Sequence, residues 1–144
     1  MKFFGHPLHM VLIHFPSALF PMDLVCSAIA SYGGPSTLLH AAFYATLGGV
    51  MLGWLAIITG AIDLVPVVKH KPASVNKALI HGGLNTCVVI VFSVIALVAN
   101  KSFPDLTPDS TALLITKTLT VSAMFIGNYL GGSLVLKDRI GSDT

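Results

Sequence analysis

The chain has 144 residues, of which 54% are hydrophobic and 10% are charged, and its mean hydropathy is +0.85. Soluble domains carry about 25% charged residues, so an ordinary water-soluble fold is excluded. The net charge of +2 is too small for a nucleic-acid-binding protein, and no nucleic-acid partner is expected.

Four apolar segments are long enough to cross a bilayer, which takes about 20 residues for about 30 Å of hydrocarbon. They run from about Leu8 to Ser31, Thr37 to Val65, Lys77 to Ala99 and Thr118 to Leu136. The connections are short, so consecutive helices should run antiparallel. The predicted fold is one all-α domain, an integral membrane antiparallel four-helix bundle whose first partner is the lipid bilayer.

The first segment combines histidines with prolines. His9 and His14 are five residues apart, about 140° around a helix, so they share one site only if the backbone is distorted. Pro16 and Pro21 remove backbone donors and are expected to kink this helix near His14. The polar interruptions also favour a retained helix over a cleaved signal peptide.

The second segment carries small residues on one stripe, which predicts either close helix packing or room for a flat cofactor. They are Ala45, Gly49, Gly53, Ala56 and Gly60. Asp63 is expected at the end of this helix. Gly127 and Gly131 repeat the small-residue spacing in the fourth segment.

The third segment places His81 about 6 Å beyond Lys77, a depth similar to that of His14, which lies about 9 Å beyond Leu8. Asn85 follows His81 at the four-residue helical spacing, so both side chains should point into the bundle.

Lys and Arg are distributed unequally between the two sides. The termini and the second connection hold Lys2, Lys69, Lys71, Lys77, Lys137 and Arg139. The opposite side holds Lys101 and Lys117, close to Asp105 and Asp109. The positive-inside rule therefore predicts that both termini are cytoplasmic.

Polar groups in hydrocarbon are costly and commonly functional, which directs attention to His14, Asp63 and His81. Two imidazoles at equal depth on facing helices form the arrangement in which a b-type haem is ligated from both sides of the porphyrin. His14 and His81 are predicted to be these ligands. Asp63 and Asn85 would orient them through hydrogen bonds or handle a proton.

Three basic residues on the same side could pair with haem propionates, namely Lys69, Lys71 and Lys77. A second interpretation is a Zn or Fe site made by His14, His81 and Asp63, with His9 as an alternative ligand. A third is an interhelical hydrogen-bond network that only fixes the bundle.

The chain also resembles a known family. Gly5-His6-Pro7-Leu8-His9, followed by His14-Phe15-Pro16, is similar to the opening of the bacterial membrane domain catalogued as domain of unknown function 2231. Further matching positions are Gly60, Asp63, His81, Asn85 and the run Gly131-Gly132-Ser133-Leu134-Val135. The resemblance covers nearly the whole chain. It implies a four-helix bacterial inner-membrane protein, and relatives joined to Rieske-type iron–sulfur domains favour electron transfer.

The functional hypothesis is a small cytochrome b-like electron-transfer protein or subunit, with haem b as cofactor and quinone and other redox proteins as partners. The alternative is a non-catalytic subunit that anchors a larger membrane complex. The chain has no HExxH or CxxC motif and no hydrolase or transferase motif, so it is at most a redox subunit. A homo-oligomer is open under either hypothesis.

Overall fold

The structure is a computed structural model that describes residues 2–3 and 6–140, with side chains from Leu8 onward. The helices are α1 (Leu8–Leu12), α2 (His14–Ser31), α3 (Thr37–His70), α4 (Val75–Asn100) and α5 (Thr111–Leu136), and a short 3-10 helix, Pro72–Ser74, precedes α4. Two short antiparallel strands, β1 (Lys2–Phe3) and β2 (His6–Pro7), precede α1. Gly5 of the opening motif lies outside the described residues.

Within residues 2–3 and 6–140, four helical segments are long and apolar enough to cross a membrane, which confirms the predicted multi-pass fold. They are Leu8–Ser31, Thr37–His70, Pro72–Asn100 and Thr111–Leu136. Their outer faces present large apolar side chains such as Met51 (69% exposed) and Leu97 (68% exposed). Such faces suit lipid, because a bilayer solvates apolar groups as well as a protein core does.

The spans pack in ring order, with the first span (α1 and α2) beside α3 and α5, and α4 beside α3 and α5. The first span and α4 are therefore diagonal to each other. They meet in the core, where Phe20 and Phe92 stack with ring centroids 4.0 Å apart and both side chains are fully buried. Around this pair lies the apolar core, which includes Val88, Val89, Val121 and Met124.

The first span is broken between α1 and α2 at Ile13. Pro16 has no N–H to donate to the carbonyl of Leu12 four residues earlier, so the helical hydrogen bonding is interrupted there. The carbonyl of Ile13 accepts both the backbone N–H of Ser17 at 3.2 Å and the hydroxyl of Ser17 at 2.7 Å. The helix is thus interrupted one residue before His14, while Ile13 keeps helical φ and ψ angles of −62° and −22°.

Three helix limits differ from the sequence prediction by two residues or more. Helix α3 continues past Pro66 to His70, because the buried Val67 packs its last turns against the bundle. Helix α4 begins at Val75. Helix α5 begins at Thr111, where the hydroxyl of Ser110 accepts the backbone N–H of Leu113 and caps the helix.

The two ends of the bundle carry different polar groups. We call the end with the start of α1, the α3–α4 connection and the end of α5 the histidine end. The other end, which contains Asp23, Asp109 and Lys117, is called the aspartate end. Lys117, counted above with a connecting loop, instead lies inside α5 and is 3% exposed.

Candidate functional site at the histidine end

Two histidines from diagonal spans meet at the histidine end. His9 belongs to α1 and His81 to α4, and their ring centroids are 6.2 Å apart with the ring planes at 82°. Both side chains are half-buried. His81 therefore faces His9, whereas the sequence prediction paired it with His14.

The backbone fixes the protonation of both rings. Nδ1 of His9 lies 2.8 Å from the carbonyl oxygen of Ala56, and Nδ1 of His81 lies 2.7 Å from that of Gly127. A carbonyl only accepts hydrogen bonds, so each Nδ1 carries the proton and donates it. In the neutral imidazole each Nε2 then keeps its lone pair, which is the tautomer of histidines that bind a metal through Nε2.

Each ring lies against a glycine on its neighbouring helix. A β-carbon added to Gly60 would lie 2.9 Å from Cε1 of His9, and one added to Gly131 would lie 2.6 Å from Cε1 of His81. In both halves the glycine follows, by four residues, the residue whose carbonyl holds the ring. The bundle therefore contains two equivalent sites, in each of which a histidine ring packs on a glycine and hydrogen-bonds to a backbone carbonyl of the same neighbouring helix.

The other glycines of the predicted stripe also accommodate side chains. Gly49 lies against Phe20, and Gly53 lies against Val89. The small residues of this stripe therefore serve close helix packing and do not leave room for a flat cofactor. Open space is instead found beside Gly82, Gly83 and Gly132, where an added β-carbon would meet nothing within 4 Å.

A cavity of about 910 Å³ connects these features at the histidine end. Its walls are mainly apolar, and its polar lining includes His9, His81 and Asn128. Its lining also includes His70, Lys71 and Arg139. Cofactor sites in proteins span roughly 300–1,000 Å³ and combine apolar walls with a few placed polar groups, and this cavity has both properties.

The remaining predicted residues occupy different places. His14 lines the cavity with an exposed side chain, and Asp63 lines it half-buried. The amide nitrogen of Asn85 donates to the carbonyl of His81 at 2.9 Å and lies 3.2 Å from Nδ1 of that ring. Asn85 therefore packs against His81, the contact that its spacing predicted.

The three predicted propionate partners are also distributed differently. Lys71 lines the cavity and donates to the backbone carbonyls of Asp138 and Arg139 at 2.8 and 2.9 Å. Lys77 donates to Oδ2 of Asp138 at 2.8 Å, which holds the pKa of that carboxyl below its ordinary value. Lys69 is exposed on the last turn of α3.

The alternative metal site lacks a full set of protein ligands. Among the described residues, no three His, Cys, Asp or Glu side chains come together in an arrangement that could hold an ion. His14, Asp63, His9 and His81 share one cavity without forming such a group. The pair His9 and His81 is the part of this set whose rings the fold brings close together, in an edge-to-face arrangement.

Comparison with known families places the chain among membrane proteins. Residues 5–144 match the model of a family described as a predicted membrane protein (DUF2231). The chain belongs to this family. No curated protein and no solved structure matches it. The DUF2231 match agrees with the resemblance and with the four spans, and its description states no activity.

Sequence reasoning missed the pairing of His9 with His81, although the chain carries a signal for it. Phe20 follows His9 by 11 residues, and Phe92 follows His81 by the same 11 residues. The first span and α4 point the same way along the bundle, so an equal spacing makes the two His and Phe pairs coincide in depth. A comparison of the two halves would have found this repeat.

Proposed function

We propose that this chain is a small cytochrome b-like membrane electron-transfer protein, or such a subunit of a larger complex, which binds one haem b at the histidine end. His9 and His81 are the proposed axial ligands. The observation that carries the proposal is the pair itself: two imidazoles on diagonal spans, 6.2 Å apart, each held with Nδ1 protonated and Nε2 available.

The ligand count favours haem over a bare ion. A structural Zn²⁺ takes four ligands and a catalytic one takes three, whereas the described residues offer two facing imidazoles. Haem needs at most two axial ligands from the protein, because the porphyrin supplies the other four. At a metal–nitrogen distance of roughly 2.0–2.1 Å, two opposed imidazoles have centroids roughly 6 Å apart.

The cavity supports an amphipathic ligand. Its apolar walls and the open space beside Gly82, Gly83 and Gly132 suit a flat hydrophobic ring system. Lys71 and Arg139 line the cavity and suit carboxylates such as propionates. Among the residues first proposed for the propionates, Lys71 is the one on the cavity wall.

The proposed setting is the bacterial inner membrane, with the histidine end toward the cytoplasm. Because Lys117 is buried in α5, the loop of the aspartate end keeps Lys101 as its exposed cation, so the imbalance of positive charge between the two ends is larger than the sequence suggested. Quinone and other membrane redox proteins are the proposed partners, since they exchange electrons with b-type haems in such membranes.

Visible spectra of the purified chain, expressed with an adequate haem supply, test the proposal. The expected result is a Soret band with sharp α and β bands after reduction by dithionite. His9→Ala and His81→Ala should each abolish this spectrum. His14→Ala should leave the bands in place, because that side chain is exposed and is not part of the pair of rings formed by His9 and His81. His40→Ala is the matched control, since His40 packs on Phe103 instead.

A specific observation also favours the non-catalytic alternative. Nδ1 of each histidine is already hydrogen-bonded to a backbone carbonyl of a neighbouring helix, so these two side chains also stabilise the packing of the spans. A chain that stays colourless, is monodisperse and loses stability in His9→Ala and His81→Ala would refute the haem proposal in favour of this anchoring role. Loss of colour in His14→Ala with retention in His9→Ala would return the site to the pairing predicted from sequence.

A further inference from the structure

A buried cluster of three charged side chains lies at the aspartate end, away from the proposed haem site. Nζ of Lys117 is 2.8 Å from Oδ1 of Asp23 and 2.7 Å from Oδ2 of Asp109. The hydroxyl of Ser27 accepts from the same ammonium at 2.8 Å and donates to Oδ1 of Asp23 at 3.1 Å. Asp23 and Lys117 are 1% and 3% exposed.

The ammonium has three polar contacts in this arrangement. It donates hydrogen bonds to Oδ1 of Asp23 and to the hydroxyl of Ser27, and Oδ2 of Asp109 lies 2.7 Å from it as an ion pair without hydrogen-bond geometry. The buried Oδ2 atoms of Asp23 and Asp109 both have no hydrogen-bond partner, but the ammonium contacts Asp109 through Oδ2 and Asp23 through Oδ1, so Oδ2 of Asp23 is the oxygen without an ion-pair contact. An ionised carboxylate oxygen buried without a partner is costly, so this atom needs a proton or a ligand.

The charge count gives the same result. Two carboxylates and one ammonium leave one excess negative charge in a low-dielectric site when all three are ionised. Within the described residues, the charged groups that act on Asp23 are Lys117 and Asp109. A metal cation is disfavoured because the Lys117 ammonium already occupies the position between the carboxylates.

We propose that Asp23, Asp109 and Lys117 form a proton-binding site, in which Oδ2 of Asp23 holds one exchangeable proton. The proton comes from water and returns to it, and no electron transfer or covalent step is involved.

The structure gives this proton one side of access. Asp23 lies eight residues before the end of α2 at Ser31, roughly 12 Å into the bundle. The side chain of Asp109 is 14% exposed and reaches the surface of the aspartate end. Toward the histidine end, the stacked rings of Phe20 and Phe92 and their apolar neighbours close the path. The site therefore exchanges with the aspartate end.

Infrared spectroscopy of the full chain in phosphatidylcholine vesicles tests the proposal, because a protonated carboxylic acid has a carbonyl stretch that a carboxylate lacks. The unmodified chain should show one such group per chain at neutral pH, and aspartate labelled with carbon-13 should shift its band. Asp23→Asn should remove this band. Asp109→Asn should also remove it, since the remaining Asp23 and Lys117 are balanced when both are charged.

The controls separate this account from burial alone. Asp105→Asn is the matched control, since Asp105 lies exposed in the same loop, and it should leave the band unchanged. Lys117→Gln should raise the signal to two groups per chain. No band in the unmodified chain, or a full band in Asp23→Asn, overturns the proposal. If Asp23→Asn does not fold, a band that persists in Asp109→Asn overturns the three-charge account.

Discussion

Alanine substitutions at two neighbouring glycines of α5 test whether the imidazole of His81 is held in place. A β-carbon at position 131 would lie 2.6 Å from Cε1 of His81, closer than carbon atoms pack, whereas one at position 132 would meet nothing within 4 Å. Gly131→Ala and Gly132→Ala therefore make the same chemical change on the same helix. They differ in whether a ring must move.

The magnitude follows from what the ring would lose. To make room, His81 must shift away from Gly131, and the 2.7 Å hydrogen bond from its Nδ1 to the carbonyl of Gly127 must lengthen or break. A hydrogen bond contributes about 0.5–1.5 kcal/mol, and overpacking costs about 1–3 kcal/mol. Both variants gain up to about 1 kcal/mol of helix propensity, which cancels in the comparison. The strained or broken hydrogen bond is one part of the overpacking cost, so the two ranges are not added, and Gly131→Ala should be less stable than Gly132→Ala by about 1–3 kcal/mol.

The assay is reversible unfolding of the chain in mixed micelles with increasing denaturing detergent, followed by circular dichroism. Gly132→Ala should unfold at the midpoint of the unmodified chain or above it, and Gly131→Ala below it. If haem binds as proposed, Gly131→Ala should also weaken it about tenfold for each 1.4 kcal/mol lost. If the free energies of unfolding of the two variants differ by less than about 0.5 kcal/mol, the ring of His81 is not held in place by its contact with Gly131.

Two further predictions concern the core and the histidine-end surface. Phe20→Ala should lower the free energy of unfolding by about 3–5 kcal/mol, because the Phe20 ring is fully buried and stacks on Phe92. Phe125→Ala is the control, since Phe125 is 56% exposed, and it should change the free energy of unfolding by about 0.5 kcal/mol or less. The same unfolding assay checks both variants, and equal losses of unfolding free energy would contradict the stacking of Phe20 on Phe92 in the core. Asp138→Asn should destabilise the chain above the ordinary aspartate pKa of 3.8, because Lys77 lowers the pKa of the folded carboxyl. This difference should disappear as pH falls through the lowered value and the carboxyl takes a proton, so a difference that is independent of pH would refute it.

The site was only partly predictable because depth and direction are encoded differently. Counting residues gives depth, and it placed His81 and Asn85 together correctly. Direction depends on rotation about the helix axis, which residue counting does not give across an interrupted helix such as the first span, where α1 ends at Leu12 and α2 begins at His14. His9 and His14, about 140° apart on a regular helix, could not be ranked without it.

The charged cluster was missed for a related reason. Lys117 was taken as the boundary of a span because a lone ammonium in hydrocarbon is costly. In the fold, Asp23 and Asp109 neutralise it from a different helix and from the preceding segment. Hydropathy treats each residue alone, so it cannot register a partner that is 94 residues away in the sequence.

The sequence by itself determined the membrane class, the number of spans and the family, because bilayer thickness and the cost of buried backbone leave long apolar segments one solution, the transmembrane helix. The tertiary structure alone decided which polar groups meet: His9 with His81 at one end, and Lys117 with two aspartates at the other. Those contacts arise from helix rotation and close approach over glycines such as Gly60, which are set by packing among all four spans.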